Sequence, residues 1–150
     1  MRREDRKITE SEAIAILQNG EFGVLSMSTS NAEGYGIPLN FAFKNHVIYF
    51  HCALEGSKLE HLSINNRASF CVVGRTNVLP AQFGTKYESA IAFGIVTEIE
   101  GDEKLEALML ILEKYSANYM QEGAAYLKNA FDSVKVLKLS IKELTGKARK

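Results

Sequence analysis

A short segment around residues 47–59 combines the side chains that could most readily do chemistry. An apolar run ends in His51, and Gly56, Ser57 and Lys58 follow after a few residues. If a helix opens at Ser57, its first N–H groups lack intrahelical partners and carry partial positive charge. Adding a hydroxyl and an ammonium there makes a phosphate site. The alternative is that Ser57 is only an N-cap and Lys58 only a surface lysine.

His51 stands at the end of the otherwise apolar run 47–50. A lone histidine in that position more often packs or forms a structural hydrogen bond than takes part in catalysis. If a phosphate binds at Ser57 and Lys58, however, His51 would line the same pocket and could donate a hydrogen bond or a proton. Cys52 could be a thiolate near the helix N-terminus, although a small residue of the pocket wall is the favoured interpretation.

Asn40 is the single polar side chain in the apolar run 37–43. If it is buried, it needs a hydrogen-bond partner, which could be a ligand or a neighbouring strand. Pro38 cannot donate to a strand ladder, so it predicts an edge strand or a bulge at this point.

Length and composition narrow the class of protein. The chain has 150 residues, which predicts a single domain over residues 1–150, and its 18 basic and 18 acidic side chains balance to zero net charge. A phosphate-reading nucleic-acid binder usually shows a basic excess, so we expect no nucleic-acid partner. The absence of a long apolar run or a secretory signal favours a cytoplasmic protein without membrane contact. Two cysteines are predicted to be reduced thiols rather than a disulfide, and no metal-ligand spacing occurs.

The hydrophobic pattern predicts a mainly β protein with peripheral helices. Thr9 and Glu12 fit a capping box for a helix over residues 10–19, and a short helix is predicted between Gly56 and Asn65. Strands are predicted over 22–29, 35–43, 47–51, 68–73, 87–99 and 133–141, with a loop or wide hairpin end over 74–84. Short turns between them indicate an antiparallel sheet, closed or nearly closed into a small barrel of the α+β class.

A long amphipathic helix is predicted to begin at Gly101, followed by a weaker helical piece over 124–131 and a frayed basic tail over 142–150. Its predicted apolar stripe consists of Leu105, Leu108, Met109, Leu112, Tyr115 and Tyr119.

These segments resemble a known family, the FMN-binding split barrels of the pyridoxamine 5'-phosphate oxidase-like group. The most similar members are the NimA-type 5-nitroimidazole resistance proteins. The resemblance rests on IPLNF at residues 37–41, IYFHCALEGSKL at 48–59, RREDRKIT at 2–9, YESAIAFG at 87–94 and LTGK at 144–147. It implies a six-stranded antiparallel split barrel.

The resemblance also implies a cofactor site. It places Pro38, Leu39 and Asn40 against the isoalloxazine ring, His51, Cys52 and Ala53 along the cofactor, and Ser57 and Lys58 on the phosphate of FMN, with FAD as the alternative flavin. His51 matches the active-site histidine of the NimA type. The implied assembly is a homodimer with flavin at the subunit interface. The segment 74–80 matches no family pattern.

The implied activity is reduction of a nitro group on a small aromatic substrate, by hydride transfer from flavin N5, to give a less toxic amine. Two alternatives stay open at this point. One is a flavin-binding or other ligand-binding protein without turnover, and the other is a related split barrel that acts on a different electron acceptor. No nicotinamide-binding pattern identifies the electron donor.

Overall fold

The computed structural model describes residues 3–150, so Met1 and the first residue of the 2–9 motif, Arg2, lie outside it. Its helices are α1 (Glu10–Asn19), α2 (Ser57–Ile64), α3 (Gly101–Ser116) and α4 (Met120–Ala130). Its strands are β1 (Gly23–Ser28), β2 (Gly34–Leu39), β3 (Ala42–Lys44), β4 (Val47–Cys52), β5 (Arg67–Leu79), β6 (Gly84–Ile99) and β7 (Lys135–Arg149). Single 3₁₀ turns occur at Glu4–Arg6, Pro80–Gln82, Ala117–Tyr119 and Phe131–Ser133.

The seven strands form one antiparallel sheet in the order β2-β1-β5-β6-β7-β4-β3. β2 and β3 are the outermost strands, yet only Asn40 and Phe41 separate them in the chain. The two edges of the sheet therefore lie side by side, which curls the sheet into a barrel that is split between β2 and β3. The predicted α+β barrel class is confirmed.

The strand count differs from the six expected, because the predicted strand over 35–43 is interrupted at Asn40 and Phe41. The Tyr115 hydroxyl of α3 accepts the Phe41 N–H at 2.9 Å and donates to the Glu21 carbonyl at 2.5 Å. The Phe41 backbone thus bonds to a helix instead of a strand, and the ladder breaks there. Pro38 lies in β2 opposite Val24, on an edge strand as its chemistry requires.

Helix α1 has the predicted bounds and cap. The Thr9 side chain accepts the Glu12 N–H at 3.3 Å, and the Glu12 carboxylate accepts the Thr9 N–H at 2.8 Å. This reciprocal pair satisfies two backbone donors that a helix start leaves unbonded. Leu17 is fully buried in the barrel core.

Strand β4 separates two apolar layers. Ile48 and Phe50 point into the barrel core, where Phe50 stacks on Phe70, whereas Tyr49 packs outward with the cluster of Ala107 under α3. Since successive side chains of a strand alternate between faces, residue 51 belongs on the outer, helix-covered side and residue 52 on the core side.

Two predictions about the second half of the sheet were incomplete. The segment 74–84 is mostly a hairpin, since β5 runs to Leu79 and β6 starts at Gly84, with a register shift between Val73 and Thr76. The tail over 142–150 is not frayed, because β7 continues to Arg149 and pairs with β6 as far as Tyr87. Small or apolar residues alternate with polar ones along this tail, which is the pattern of a strand. The prediction of a frayed end rested on its basic composition instead.

The predicted stripe of α3 was rotated from the observed one. Leu105 and Tyr119 are 47% and 65% exposed, while Ala107 and Ile111 are buried beside Leu108. The bonds of the Tyr115 hydroxyl to Phe41 and Glu21 set the rotation of the helix, and hydrophobicity alone did not reveal them. The following helix starts at Met120, earlier than predicted, and ends at Ala130.

Candidate functional site

The end of β4 and the start of α2 form an uncapped helix N-terminus. Gly56 holds the N-cap position at φ 134° and ψ 163°, and no side chain caps the helix. That φ strongly favours glycine, and a Cβ at this residue would meet nothing within 4 Å. The first N–H groups of α2 therefore have no side-chain cap, and they lie beside the exposed hydroxyl-bearing Ser57.

Lys58 completes the group of potential phosphate ligands. Its ammonium lies close enough to His51 and Cys52 to act on both of them. Burial, and then the Lys58 charge, lower the pKa of His51 below its usual 6.5. Burial raises the pKa of the Cys52 thiol, and Lys58 only partly opposes that rise, so Cys52 is a neutral wall residue rather than a thiolate. Main-chain N–H groups, a hydroxyl and an ammonium fit a phosphate group well.

His51 opens onto an apolar cavity of about 430 Å³ between β4 and the helices α3 and α4. The imidazole does not enter the barrel core, and the residue is exposed. The cavity walls are mostly aliphatic and aromatic, and they include Leu108, Ile111, Tyr115, Tyr119, Tyr126 and Leu127. Tyrosine rings and apolar side chains suit a flat, largely uncharged ligand, and His51 adds one polar group at its edge.

Pro38 and Leu39 end β2, where they pair with Val24 and Gly23, and Asn40 follows them between β2 and β3. Ala42 of β3 pairs with Tyr49, so continuing the β3–β4 register would place residue 40 opposite residue 51, while His51 itself pairs with Val136 of β7. Leu39 packs against the core, whereas Pro38 and Asn40 are exposed.

Asn40 lines a second cavity of about 600 Å³, and Tyr115 lines both this cavity and the one beside His51. The Lys58 ammonium is thus close enough to affect the pKa of both His51 and Cys52. In the 38–40 segment, Asn40 lines the other cavity. Ala53 is exposed beyond β4.

Lys114, Tyr115 and Tyr126 were not predicted as site residues. Tyr115 was predicted to lie on the apolar stripe of α3, whereas its hydroxyl bonds to the backbone of Phe41, next to the split between β2 and β3. Lys114 follows the buried Ala107 and Ile111 at helical spacing. A lysine on the buried face of a helix is a signal for a functional site. It could not be used from the sequence, because the buried face of α3 was not the predicted one.

Neither a metal centre nor a membrane-spanning helix is found in residues 3–150. Within them, no group of three or more His, Cys, Asp or Glu side chains could hold a metal ion. None of the helices in this part of the chain is long and apolar enough to cross a bilayer. Cys52 and Cys71 are free thiols.

A family comparison matches almost the whole chain. The model described as pyridoxamine 5'-phosphate oxidase matches residues 9–148. Among solved structures, a candidate 5-nitroimidazole antibiotic resistance protein from Bacteroides thetaiotaomicron VPI-5482 superimposes with a TM-score of 0.81 at 26% identity. The match covers 95% of this chain and 86% of that one.

More distant structures share the fold. A FAD and heme binding protein from Mycobacterium smegmatis has a TM-score of 0.84 at 16% identity, with coverage of 97% of this chain and 74% of that one. A FAD-binding protein from Mesorhizobium loti has a TM-score of 0.66 at 17% identity, with coverage of 97% and 98%. Comparison with curated proteins gave no match.

Proposed function

This chain belongs to the pyridoxamine 5'-phosphate oxidase family, and from that premise we propose that it is a flavin-dependent oxidoreductase that reduces small aromatic acceptors of the nitroimidazole type. The observation that carries the proposal is the position of His51. It stands between an uncapped helix N-terminus with phosphate-binding character and an apolar cavity of about 430 Å³ rich in tyrosine. One side of the histidine suits a cofactor and the other suits a flat organic substrate.

FMN is the proposed cofactor. Ser57, Lys58 and the first N–H groups of α2 would hold its phosphate, and the 38–40 segment would lie against its ring. Cys52 and Ala53 would form the adjoining wall. When bound, the flavin would supply the electrons for reduction. The relatives described as FAD-binding make FAD the alternative, and chromatography of the cofactor released by denaturation distinguishes the two.

His51 would orient the acceptor and donate a proton to its oxygen as negative charge develops there. The tyrosine-lined cavity would exclude water from the acceptor and hold its ring flat. The 26% identical Bacteroides protein, described as a candidate for nitroimidazole resistance, supports this choice of acceptor class.

The proposal is tested by spectroscopy of the purified protein. We expect a yellow protein whose flavin bleaches on anaerobic photoreduction and recovers its absorption when a 5-nitroimidazole is added. The denitro imidazole serves as the control and should leave the flavin reduced. Bound flavin that stays reduced with every aromatic acceptor would favour the binding protein without turnover. A protein that binds neither FMN nor FAD would overturn the cofactor assignment itself.

A homodimer with flavin at the interface is the proposed assembly. It is supported by apolar side chains that the barrel leaves exposed at the β5–β6 hairpin, where Phe83 is 98% and Val78 66% exposed. Such residues are costly to leave in water and commonly mark an interface. We expect light scattering to give twice the chain mass of 16.7 kDa at micromolar concentration. A monomer that still carries its flavin would contradict the shared site.

A further inference from the structure

The Lys114 ammonium is buried and forms no salt bridge among the described residues 3–150. Its ammonium nitrogen is inaccessible to water and has no hydrogen-bond partner among residues 3–150. It lies 3.7 Å from the centre of the Phe41 ring and 5.5 Å from that of Tyr115. Contact with an aromatic face offsets only part of the free energy needed to remove an ammonium from water. Burial alone lowers the pKa of Lys114 to about 8, so the group still carries its charge at neutral pH.

The same lysine lines the second cavity, of about 600 Å³, between the end of α1 and α3. Its lining includes three residues with carboxamide side chains, Gln18, Asn19 and Asn40. Phe22, which is 57% exposed, provides an apolar surface in the same wall. A cavity with carboxamides, an aromatic face and an unpaired ammonium at its edge has the components of an organic anion site.

We propose that this cavity binds a small organic carboxylate, whose negative charge pairs with Lys114 and whose body lies on Phe22. A rotation about the last bonds of the lysine side chain takes the ammonium off the Phe41 ring and into the cavity. The Asn40 carboxamide, which lines the same cavity, would donate a hydrogen bond to the same carboxylate, whereas the Asn19 amide already donates to the Ala15 carbonyl at 2.8 Å. This inference concerns binding alone, and because the proposed flavin site also uses Asn40, it is tested on the flavin-free protein.

The charge of the cavity selects a carboxylate over a phosphate. Glu21 lines the same wall, and its carboxylate repels a dianion more strongly than a monoanion. One ammonium balances one negative charge, so inorganic phosphate at neutral pH is the poorer match. The exposed ring of Phe22 further favours a carboxylate with an aromatic or aliphatic body over a compact ion.

The unliganded protein should gain stability when Lys114 is replaced. Lys114→Met keeps a flexible, unbranched side chain of similar volume and removes a buried, unpaired charge. We expect the melting temperature at pH 7 to rise by about 2–5 °C. Lys44→Met, at the exposed end of β3, is the matched control and should change it little. A drop in the melting temperature of Lys114→Met would identify Lys114 as a structural residue and overturn the proposal.

Binding is measured by calorimetry on the purified flavin-free protein with benzoate as the probe, benzamide as its neutral analogue and inorganic phosphate as the dianion. We expect benzoate to bind best, and Lys114→Met to weaken its affinity roughly 10- to 100-fold. Lys44→Met and His51→Ala should retain the wild-type affinity. Equal affinity for benzamide, equal binding by Lys114→Met, loss of binding in His51→Ala, or preference for phosphate would each overturn the assignment. None of these measurements requires turnover. A negative result would therefore count against the carboxylate site and not against the proposed oxidoreductase activity.

Discussion

Substitution of His51 by alanine is expected to lower the turnover of a nitroaromatic acceptor by about 10²–10⁴-fold, the usual loss when a positioned proton donor is removed. The imidazole is exposed at the end of β4 and lines the tyrosine-rich cavity, so it contributes little to the core. The free energy of unfolding should therefore change by no more than about 1 kcal/mol. Anaerobic stopped-flow reoxidation of the reduced protein by the acceptor measures the rate, and urea denaturation measures the stability.

The pH profile distinguishes a proton donor from a residue that only positions the acceptor. Although the residue is exposed, its ring is partly desolvated where it lines the cavity, and this desolvation, followed by the Lys58 ammonium, holds the pKa of His51 below 6.5. The protonated form is therefore populated only in mildly acidic solution, and the rate should rise as the pH falls through this lowered pKa. Lys58→Ala removes one of the two causes, so the pKa of His51, measured by NMR titration of the flavin-free protein, should move to a higher value.

Two variants control this experiment. His51→Gln keeps a hydrogen-bond donor but cannot be protonated in this range, so a positioning role predicts that it retains turnover and a flat pH profile. His46→Asn alters an exposed histidine at the opposite end of β4, where the backbone φ of 60° tolerates asparagine. It should leave both rate and stability near those of the wild type. If His51→Ala unfolds the protein while the folded fraction stays active, the residue is structural.

The elements near the phosphate-binding end were predictable because each has a local cause. The capping box of Thr9 and Glu12, the apolar run that ends in His51, and the glycine before Ser57 act through neighbours in the chain. The structure contains these locally predicted elements because the tertiary contacts favour the same conformations as the local sequence.

The second cavity could not be predicted, because its walls are joined only by tertiary contacts. Tyr115 is 74 residues from Phe41 in the chain, yet its hydroxyl bonds to the Phe41 N–H and sets how α3 rotates on the barrel. That rotation places Lys114 under Phe41 and leaves Leu105 in solvent. The sequence pattern predicted a face of α3 that includes Leu105, whereas the structure buries the face that carries Ala107 and Ile111. The continuation of β7 is a similar case, since the long partner strand β6 orders a segment whose composition resembles a tail.

Replacing Lys58 with alanine is expected to weaken FMN binding by about 10- to 150-fold, the range for one charge-assisted hydrogen bond to a phosphate. Lys58 stands in the first turn of α2, in which no side chain caps the free N–H groups. An anion at that position gains from the ammonium and the helix terminus together. Fluorescence titration of the flavin-free protein measures the dissociation constant, which should also become less sensitive to salt in the variant.

Riboflavin makes the test specific, because it has the isoalloxazine ring but no phosphate. If Lys58 binds the phosphate, Lys58→Ala should weaken FMN binding and leave riboflavin binding unchanged. Lys44→Ala removes the same charge at the opposite end of β4 and should affect neither ligand. An equal loss of both ligands in Lys58→Ala would place the lysine against the ring or in the fold. An unchanged FMN affinity at moderate salt would mean that the phosphate does not bind at the start of α2. The proposed orientation of the flavin relative to His51 would then be wrong as well.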